Sequence, residues 1–194
     1  MVLSARHTPL LLSTLVLGVG LAQGQTADFV LNGVVKSRDT RMVMPGTTII
    51  AKDTLTQSEM AYRVSTLSDR RGKYRLALPY DGVYAVEYQA QGHVTKRLVI
   101  DLTNTRQKDQ EGGHAMTLEI VIFPQHGQVD YSAFDQPVAV CRFDRKQKKF
   151  AWDEEYSKAR EDELEAVNRT QEEAVRYGRN HVEESPPGAS SPVH

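Results

Sequence analysis

The chain has 194 residues, of which 40% are hydrophobic and 25% are charged, and its formal net charge at pH 7 is −1. A net charge this close to zero argues against nucleic acid as a partner, because phosphate backbones select strongly basic surfaces. Cys141 is the only cysteine, so no disulfide can form within the chain and an apolar core must stabilise the fold. Alternation places Cys141 on the strand face of Phe143, which favours a buried, inert thiol.

Residues 1–24 have the pattern of a secretory signal peptide. Arg6 precedes an apolar stretch at residues 9–21, which is too short to span a bilayer as a helix. Small residues fit cleavage after Ala22 or after Gly24, and both sites stay open. No cysteine lies at the cleavage site to carry a lipid anchor. We therefore expect an exported mature chain, periplasmic or secreted, with no membrane span after signal cleavage.

Short segments rich in β-branched or alternating apolar residues follow, separated by Gly and Pro turns. The pattern predicts strands at residues 29–36, 47–52, 61–66, 73–78, 83–88 and 95–101, and a further strand at 116–123 after a polar loop. Strands at this spacing, with no helical stretch among them, predict a β-sandwich. The predicted core residues are Leu31, Ile49, Leu76, Leu78, Val86, Val99, Leu118 and Ile120.

Four turn elements occur in order within residues 28–102. They are Gly33 in the first strand, Pro45-Gly46 before the second, Thr66 with Gly72 and Tyr74, and Gly82 with Tyr84. In order and spacing they resemble the carboxypeptidase regulatory-like domain family, a small β-sandwich related to transthyretin and to starch-binding modules. The longer step from Thr66 to Gly72 predicts an inserted loop.

The resemblance implies a mainly β fold, an approximately seven-stranded Greek-key sandwich of the transthyretin (prealbumin) type. In metallocarboxypeptidases this sandwich is an accessory to the catalytic domain, so the resemblance implies no catalytic activity of its own. The later segment at residues 134–156 resembles an extension seen after such domains in exported proteins of Bacteroidetes-type bacteria. A C-terminal hairpin and an appended α-helix are therefore part of the expected fold.

The last third of the chain is predicted to form elements outside the sandwich. A hairpin at residues 137–153 has the charged tip Arg145-Lys146-Gln147-Lys148, and an amphipathic helix follows, with Asp153 as its N-cap and Gly178 as its stop. The predicted divisions are a signal peptide at 1–24, the sandwich at 25–123, a hairpin extension at 124–153, the helix at 154–178 and a disordered tail at 179–194.

Charge is distributed unevenly along the chain. Residues 25–150 hold 18 Lys and Arg against 14 Asp and Glu, whereas residues 151–194 hold 5 against 11. Basic residues concentrate near the hairpin tip and acidic residues in the helix. Because exposed ion pairs contribute little to stability, we interpret these segments as a solvated hairpin tip followed by a solvated helix.

Catalytic and metal-binding motifs are missing from the sequence. It contains no Gly-x-Ser-x-Gly elbow, P-loop, dinucleotide fingerprint or His-Glu-x-x-His. The histidines are scattered, and the one cysteine has no second cysteine with which to form a thiolate metal site. We expect no enzyme activity, no metal and no cofactor.

Two functional interpretations remain. The first is an exported, non-enzymatic binding or interaction module of the bacterial cell envelope, which contacts an envelope protein through its C-terminal helix. The second is a carbohydrate-binding module for a starch-like polysaccharide, whose tyrosines stack on sugar rings. Exposed coplanar tyrosines would favour the second interpretation, and buried tyrosines beside a charged appendage would favour the first. The candidate binding residues are Tyr62, Tyr80, Arg145, Lys146, Lys148 and Lys149.

Overall fold

The structure is a computed structural model that describes residues 28–55 and 63–183, and within them it shows two packed β-sheets and a long C-terminal helix. This confirms the predicted fold class. The strands are β1 (Phe29–Ser37), β2 (Thr48–Asp53), β3 (Arg63–Leu67), β4 (Lys73–Leu78), β5 (Val83–Gln89), β6 (Lys96–Asp101), β7 (His114–Ile122), β8 (Ala139–Asp144) and β9 (Lys149–Trp152). The helices are α1 (Gln107–Gln110) and α2 (Glu154–Glu183), with a 3₁₀ turn at Ser132–Asp135. The predicted signal peptide lies outside the described residues.

The two sheets differ in size, and each contains both antiparallel and parallel strand pairs. The smaller sheet has the order β4-β1-β7, with β1 antiparallel to β4 and parallel to β7. The larger sheet has the order β3-β2-β5-β6-β8-β9, in which β6 and β8 form the parallel pair. The hairpin β8–β9 therefore extends the larger sheet, and residues 145–148 form its tip as the sequence predicted. Phe143 of this hairpin is buried.

The core lies between the sheets and confirms most of the predicted set. Of the eight predicted core residues, six are buried and Leu118 packs against the core as a partly buried side chain. Val99 was predicted wrongly, because it is only partly buried while Leu98 and Ile100 fill the core. The register explains the difference: Leu98 lies opposite the buried Val86, and residues directly opposite each other in a ladder share one face of the sheet.

Two tyrosines meet in the centre of the core, one from each sheet. The Tyr74 and Tyr88 hydroxyls are 2.8 Å apart, and their rings pack edge to face with centroids 5.4 Å apart. The Tyr74 ring fits over Gly33, where a Cβ atom would lie 2.5 Å from the Tyr74 hydroxyl and 2.0 Å from the main-chain oxygen of Leu118. Because backbone cannot move aside as a flexible side chain can, only glycine fits at this position.

The Gly82-x-Tyr84 element also places a glycine under a tyrosine ring. The Tyr84 hydroxyl donates to the main-chain oxygen of Pro79 at 2.9 Å and so closes the turn between β4 and β5. A Cβ atom on Gly82 would lie 2.5 Å from the Tyr84 ring. Gly33 and Gly82 are therefore two positions at which a tyrosine ring covers a glycine.

The C-terminal helix begins as predicted and ends later than predicted. Asp153 caps it, because its Oδ1 accepts a hydrogen bond from the Tyr156 amide at 2.9 Å. The helix continues through Gly178 to Glu183, so neither the predicted stop nor the predicted start of the tail at residue 179 matches the structure. A lone glycine inside a long helix costs only about 1 kcal/mol, which the surrounding turns offset. The polar loop before β7 also holds one unpredicted helical turn, α1.

The tyrosine pair predicts a non-additive pattern of stability. Tyr74→Phe and Tyr88→Phe should each lower the free energy of unfolding by about 1–3 kcal/mol, because each leaves one buried hydroxyl without its partner. The double variant should lose less than the sum of the two, because no unpaired hydroxyl remains. Urea denaturation of the four proteins measures the coupling, and simple additivity would contradict the role assigned to this bond.

Gly33→Ala should destabilise the protein by about 1–3 kcal/mol or more, because the new methyl group overlaps the main-chain oxygen of Leu118. Replacing glycine by alanine within a strand would otherwise be favourable by roughly 0.5–1 kcal/mol. Gly127→Ala is the matched control, since a Cβ atom there meets nothing within 4 Å. Equal melting temperatures for the two variants would show that Gly33 is not sterically required.

Candidate functional site

A cleft of about 590 Å³ opens at the end of the sandwich that carries the hairpin tip. Four segments surround it: the residue before β1, the turn between β4 and β5, the loop between β6 and β7, and the tip between β8 and β9. Its lining residues are Asp28, Pro79, Tyr80, Asp81, Thr103, Thr105, Arg106, Gln107, Gln110 and Arg145. The cleft is therefore predominantly polar and contains charges of both signs.

Arg106 on the loop and Arg145 on the hairpin are each held through one edge of the guanidinium group. Arg145 Nε donates to the main-chain oxygen of Asn104 at 3.1 Å, and Arg106 Nε donates to Asp109 Oδ2 at 2.9 Å. The bond from Arg106 is the main reason why the pKa of Asp109 lies below its ordinary value. Among the described residues, neither arginine has a partner for its two Nη groups. Both guanidinium groups are thus oriented by the protein and keep an edge for a ligand.

Tyr80 is fixed by a histidine at the rim. Its hydroxyl lies 2.7 Å from His114 Nδ1, and the His114 ring packs edge to face against Phe143 and Phe150. Desolvation lowers the pKa of His114 and raises the pKa of Tyr80, so at neutral pH both groups are uncharged. The hydroxyl of Tyr80 is therefore committed within the protein, while its ring contributes to the cleft lining.

The floor of the cleft contains buried polar side chains. Thr105 is 3% exposed and Gln110 is 5% exposed, and Gln110 Nε2 donates to the Thr105 main-chain oxygen at 2.9 Å. The Thr105 hydroxyl is buried and has no hydrogen-bond partner among the described residues. An unpaired buried hydroxyl is unfavourable, so its presence requires an explanation.

The opposite side of the cleft is acidic. Asp28 immediately precedes β1 and Asp81 follows β4, and these strands are neighbours in the smaller sheet. Asp81 has φ of 71°, a left-handed conformation that a short polar side chain tolerates better than most. Neither carboxylate pairs with a basic side chain among the described residues. The cleft thus has a basic wall and an acidic wall.

The structure brings together two of the six predicted binding residues. Tyr80 and Arg145 both line the cleft, whereas Lys146, Lys148 and Lys149 are exposed on the neighbouring hairpin and are absent from its lining. Tyr62 lies outside the described residues. Sequence reasoning missed Asp28, Asp81, Thr105, Arg106 and Gln110. The turn signals around Asp81 and the polar loop were visible in the sequence, but nothing indicated that they face one cleft.

Helix α2 lies at the opposite end of the sandwich, and one side of the helix packs against it. Leu164 and Val167 pack against a small cluster formed by Val94, Phe123 and Phe134. Polar contacts surround this apolar patch: Tyr156 Oη donates to Pro137 O, Arg160 to Ala133 O, Gln171 Nε2 to Pro124 O and Arg38 Nη1 to Asn168 Oδ1. The interface between α2 and the sandwich is thus a small apolar contact surrounded by hydrogen bonds.

A basic pair lies beneath this helix. The Arg38 guanidinium carbon is 4.2 Å and the Lys96 Nζ is 5.4 Å from the centroid of the Phe123 ring. Burial lowers the pKa of Lys96 to about 8, and repulsion from Arg38 adds to the shift. The ammonium group is held chiefly by the face of the aromatic ring, because among the described residues it forms no ion pair.

Lys96→Met should raise stability most at neutral pH. In wild type the unfolded chain keeps the Lys96 proton up to its ordinary pKa of 10.5, whereas the folded chain releases it near pH 8. The cost of burying the charge is therefore fully present below pH 8 and fades as pH rises towards 10. The unfolding free energy of the variant minus that of wild type should accordingly fall across this range. Cys141 and the tyrosines titrate in both proteins, so their contributions cancel in the difference between the two unfolding free energies.

Urea denaturation at pH 7, 8, 9 and 10 measures this difference, and Lys149→Met on the exposed hairpin is the control. A difference that stays constant with pH would show that Lys96 is not desolvated. A pH-dependent difference for the control would assign the effect to general surface charge.

Two further properties concern the residues that the structure describes. No described helix combines the length and apolar character needed to cross a membrane. No group of three or more His, Cys, Asp or Glu side chains within residues 28–55 and 63–183 is placed to hold a metal ion.

No family model matches the chain, and no curated protein has a matching sequence. Solved structures with a related shape include chlorocatechol 1,2-dioxygenase from Pseudomonas putida, with 15% identity, a TM-score of 0.37 and coverage of 52% of this chain and 62% of that one. Shaft pilin SpaA from Lactobacillus rhamnosus GG has 12% identity, a TM-score of 0.36 and coverage of 51% and 47%. The dioxygenase domain of a dioxygenase carbohydrate-binding protein fusion from Streptomyces sp. SirexAA-E has 13% identity, a TM-score of 0.39 and coverage of 53% and 84%.

The chain spans 62% and 47% of the lengths of the first two structures. At these identities and TM-scores the likeness assigns neither a family nor an activity. The function must therefore be argued from the side chains of this chain.

Proposed function

We propose that the protein is an exported, non-enzymatic binding module of the bacterial cell envelope, built on a carboxypeptidase regulatory-like sandwich, and that α2 contacts an envelope protein. The observation that carries the proposal is the way α2 is seated. One edge of the helix packs on the sandwich, while its remaining surface is charged and exposed. A long helix that buries so little of itself is well suited to a second contact.

The exposed surface of α2 is predominantly negative in charge. Between residues 154 and 177, eight carboxylate side chains are exposed against three basic ones. Glu161, Asp162 and Glu165 form the central group, and none of them makes an ion pair among the described residues. A basic surface on the partner would complement this face and accelerate association.

The state of the nucleophilic and aromatic side chains supports a non-enzymatic role. Burial raises the pKa of Cys141 to about 12, so the thiol stays protonated and unreactive. Tyr74, Tyr84 and Tyr88 are buried in the core rather than arranged on a surface. The groups that first suggested chemistry or sugar stacking are thus used to build the sandwich.

A second candidate function, polysaccharide binding, is favoured by the cleft. Tyr80 and Arg145 are far apart in sequence and still line the same cavity. A starch-like chain would need several exposed rings, and of the tyrosines at positions 74, 80, 84 and 88 only Tyr80 is available at the surface. Charge rather than stacking must therefore supply most of the binding at this cleft.

Charge reversal on the helix tests the first function. The full mature chain carrying Glu161→Lys, Asp162→Lys and Glu165→Lys should fold normally, because these side chains are exposed, and should lose cross-linked capture of an envelope protein at least tenfold. The control reverses two exposed carboxylates on other elements, at Glu111 and Glu119. Quantitative mass spectrometry of the captured envelope fraction gives the readout.

Capture that survives the helix variant would place the interface on another surface. Equal loss in the helix variant and the control would reduce the interaction to net charge. In either case α2 would not be the contact element.

A further inference from the structure

The cleft at the hairpin end combines groups that serve different parts of a ligand. Arg106 and Arg145 present guanidinium edges from one wall, and Asp28 and Asp81 present carboxylates from the other. The ring of Tyr80 belongs to the acidic side, and the loop residue Thr105 belongs to the floor. These groups come from four separate segments that only the fold brings together.

The basic wall selects a carboxylate. A guanidinium group binds a carboxylate through two parallel hydrogen bonds, and anchoring of Nε on Arg106 and Arg145 leaves the outer Nη edges for that contact. A wholly neutral ligand would cover these edges without satisfying their charge, which is unfavourable. At least one acidic group on the ligand is therefore required.

The acidic wall excludes a ligand that is only an anion. Asp28 and Asp81 would repel a dense polyanion such as a polyphosphate, because like charges at short range are strongly unfavourable. Carboxylates that lack a basic partner accept hydrogen bonds well, and sugar hydroxyls donate them. Hydroxyl groups placed away from the ligand's acidic group would satisfy both aspartates.

We propose that the cleft binds an acidic saccharide, a sugar chain that carries carboxylates beside free hydroxyls. Arg106 and Arg145 hold the carboxylate, Asp28 and Asp81 accept hydrogen bonds from hydroxyl groups, and the ring of Tyr80 packs against a sugar face. This inference rests on the proposed binding function and goes beyond it by naming a ligand class at a surface other than α2.

The dimensions of the cleft agree with this class of ligand. Its volume of about 590 Å³ lies within the range of roughly 300–1,000 Å³ that is usual for small-ligand sites. The opening lies beside the exposed hairpin, whose residue Arg145 is part of the lining.

Isothermal titration of the full mature chain with oligogalacturonate tests the proposal. A malto-oligosaccharide of equal length represents a neutral sugar, and polyphosphate represents a plain polyanion. We expect binding of oligogalacturonate, much weaker binding of the neutral sugar and no competition by polyphosphate. Arg145→Ala and Arg106→Ala should each raise the Kd by about 10- to 100-fold, the usual effect of removing a charged hydrogen-bonding partner.

The controls separate the cleft from general surface charge. Lys146→Ala removes a neighbouring exposed charge outside the cleft lining and should change the Kd less than threefold. Asp81→Asn should weaken oligogalacturonate binding, because an amide is a poorer acceptor for hydroxyls. If Asp81 acted only by repulsion, the same substitution would strengthen binding. Equal losses in Arg145→Ala and Lys146→Ala would overturn the proposal.

Preference for the malto-oligosaccharide, competition by polyphosphate or failure to bind oligogalacturonate would each overturn the proposed ligand class. None of these outcomes bears on capture of an envelope protein, which depends on α2. Conversely, loss of the helix interaction leaves the saccharide titration unchanged. The two proposals therefore fail in distinguishable ways.

Discussion

The hydrogen bond between Tyr74 and Tyr88 is the constraint on which the rest of the sandwich depends. It joins β4 of the smaller sheet to β5 of the larger sheet, and it satisfies two hydroxyls that would otherwise be buried without partners. Burial raises the pKa of Tyr74 to about 12 and that of Tyr88 well above its ordinary value. Both hydroxyls therefore stay neutral at any physiological pH, and the bond between the sheets persists.

The turn between β4 and β5 forms one side of the cleft. β4 and β5 are consecutive strands in different sheets, so the turn that joins them crosses from one sheet to the other at the hairpin end. The bond from Tyr84 to Pro79 closes the turn, and the glycine at position 82 lets the ring approach. Tyr80 and Asp81 lie within the same turn. The candidate site is thus formed by a loop whose two ends are tied to the core, which limits its freedom to move.

Sequence periodicity predicted the parts of the structure that depend on one-sided burial. β1 alternates between buried and half-buried side chains over its whole length, and the pattern was readable because its outer face is partly polar. The apolar run Leu98-Val99-Ile100 has no such contrast, so only pairing with β5 decides which side chains face inward. The extension of α2 past Gly178 has a similar origin, because a helix stop is a local signal that longer-range context overrides.

The candidate site was less predictable because its residues converge from different strands. Tyr80 was a candidate because an aromatic ring can stack on a sugar, and Arg145 because it belongs to the charged hairpin tip. Arg106 and Asp28 have no local pattern that distinguishes them from other surface charges. Their placement depends on which strands pair, and a parallel pairing such as that of β1 with β7 is set by the whole fold. Local signals therefore identify turns and strands, whereas a cleft between loops requires the topology.

The topology also keeps the two proposed binding surfaces electrostatically independent. Asp28, before β1, lines the cleft, and Arg38, after β1, binds Asn168 of α2. The strand between them rises by about 3.3 Å per residue, which places the two surfaces about 30 Å apart. Exposed charges are screened over about 8 Å at physiological ionic strength, so the basic hairpin end and the acidic helix barely affect each other. A chain with almost no net charge can therefore offer an acidic face to one partner and a mixed-charge cleft to another.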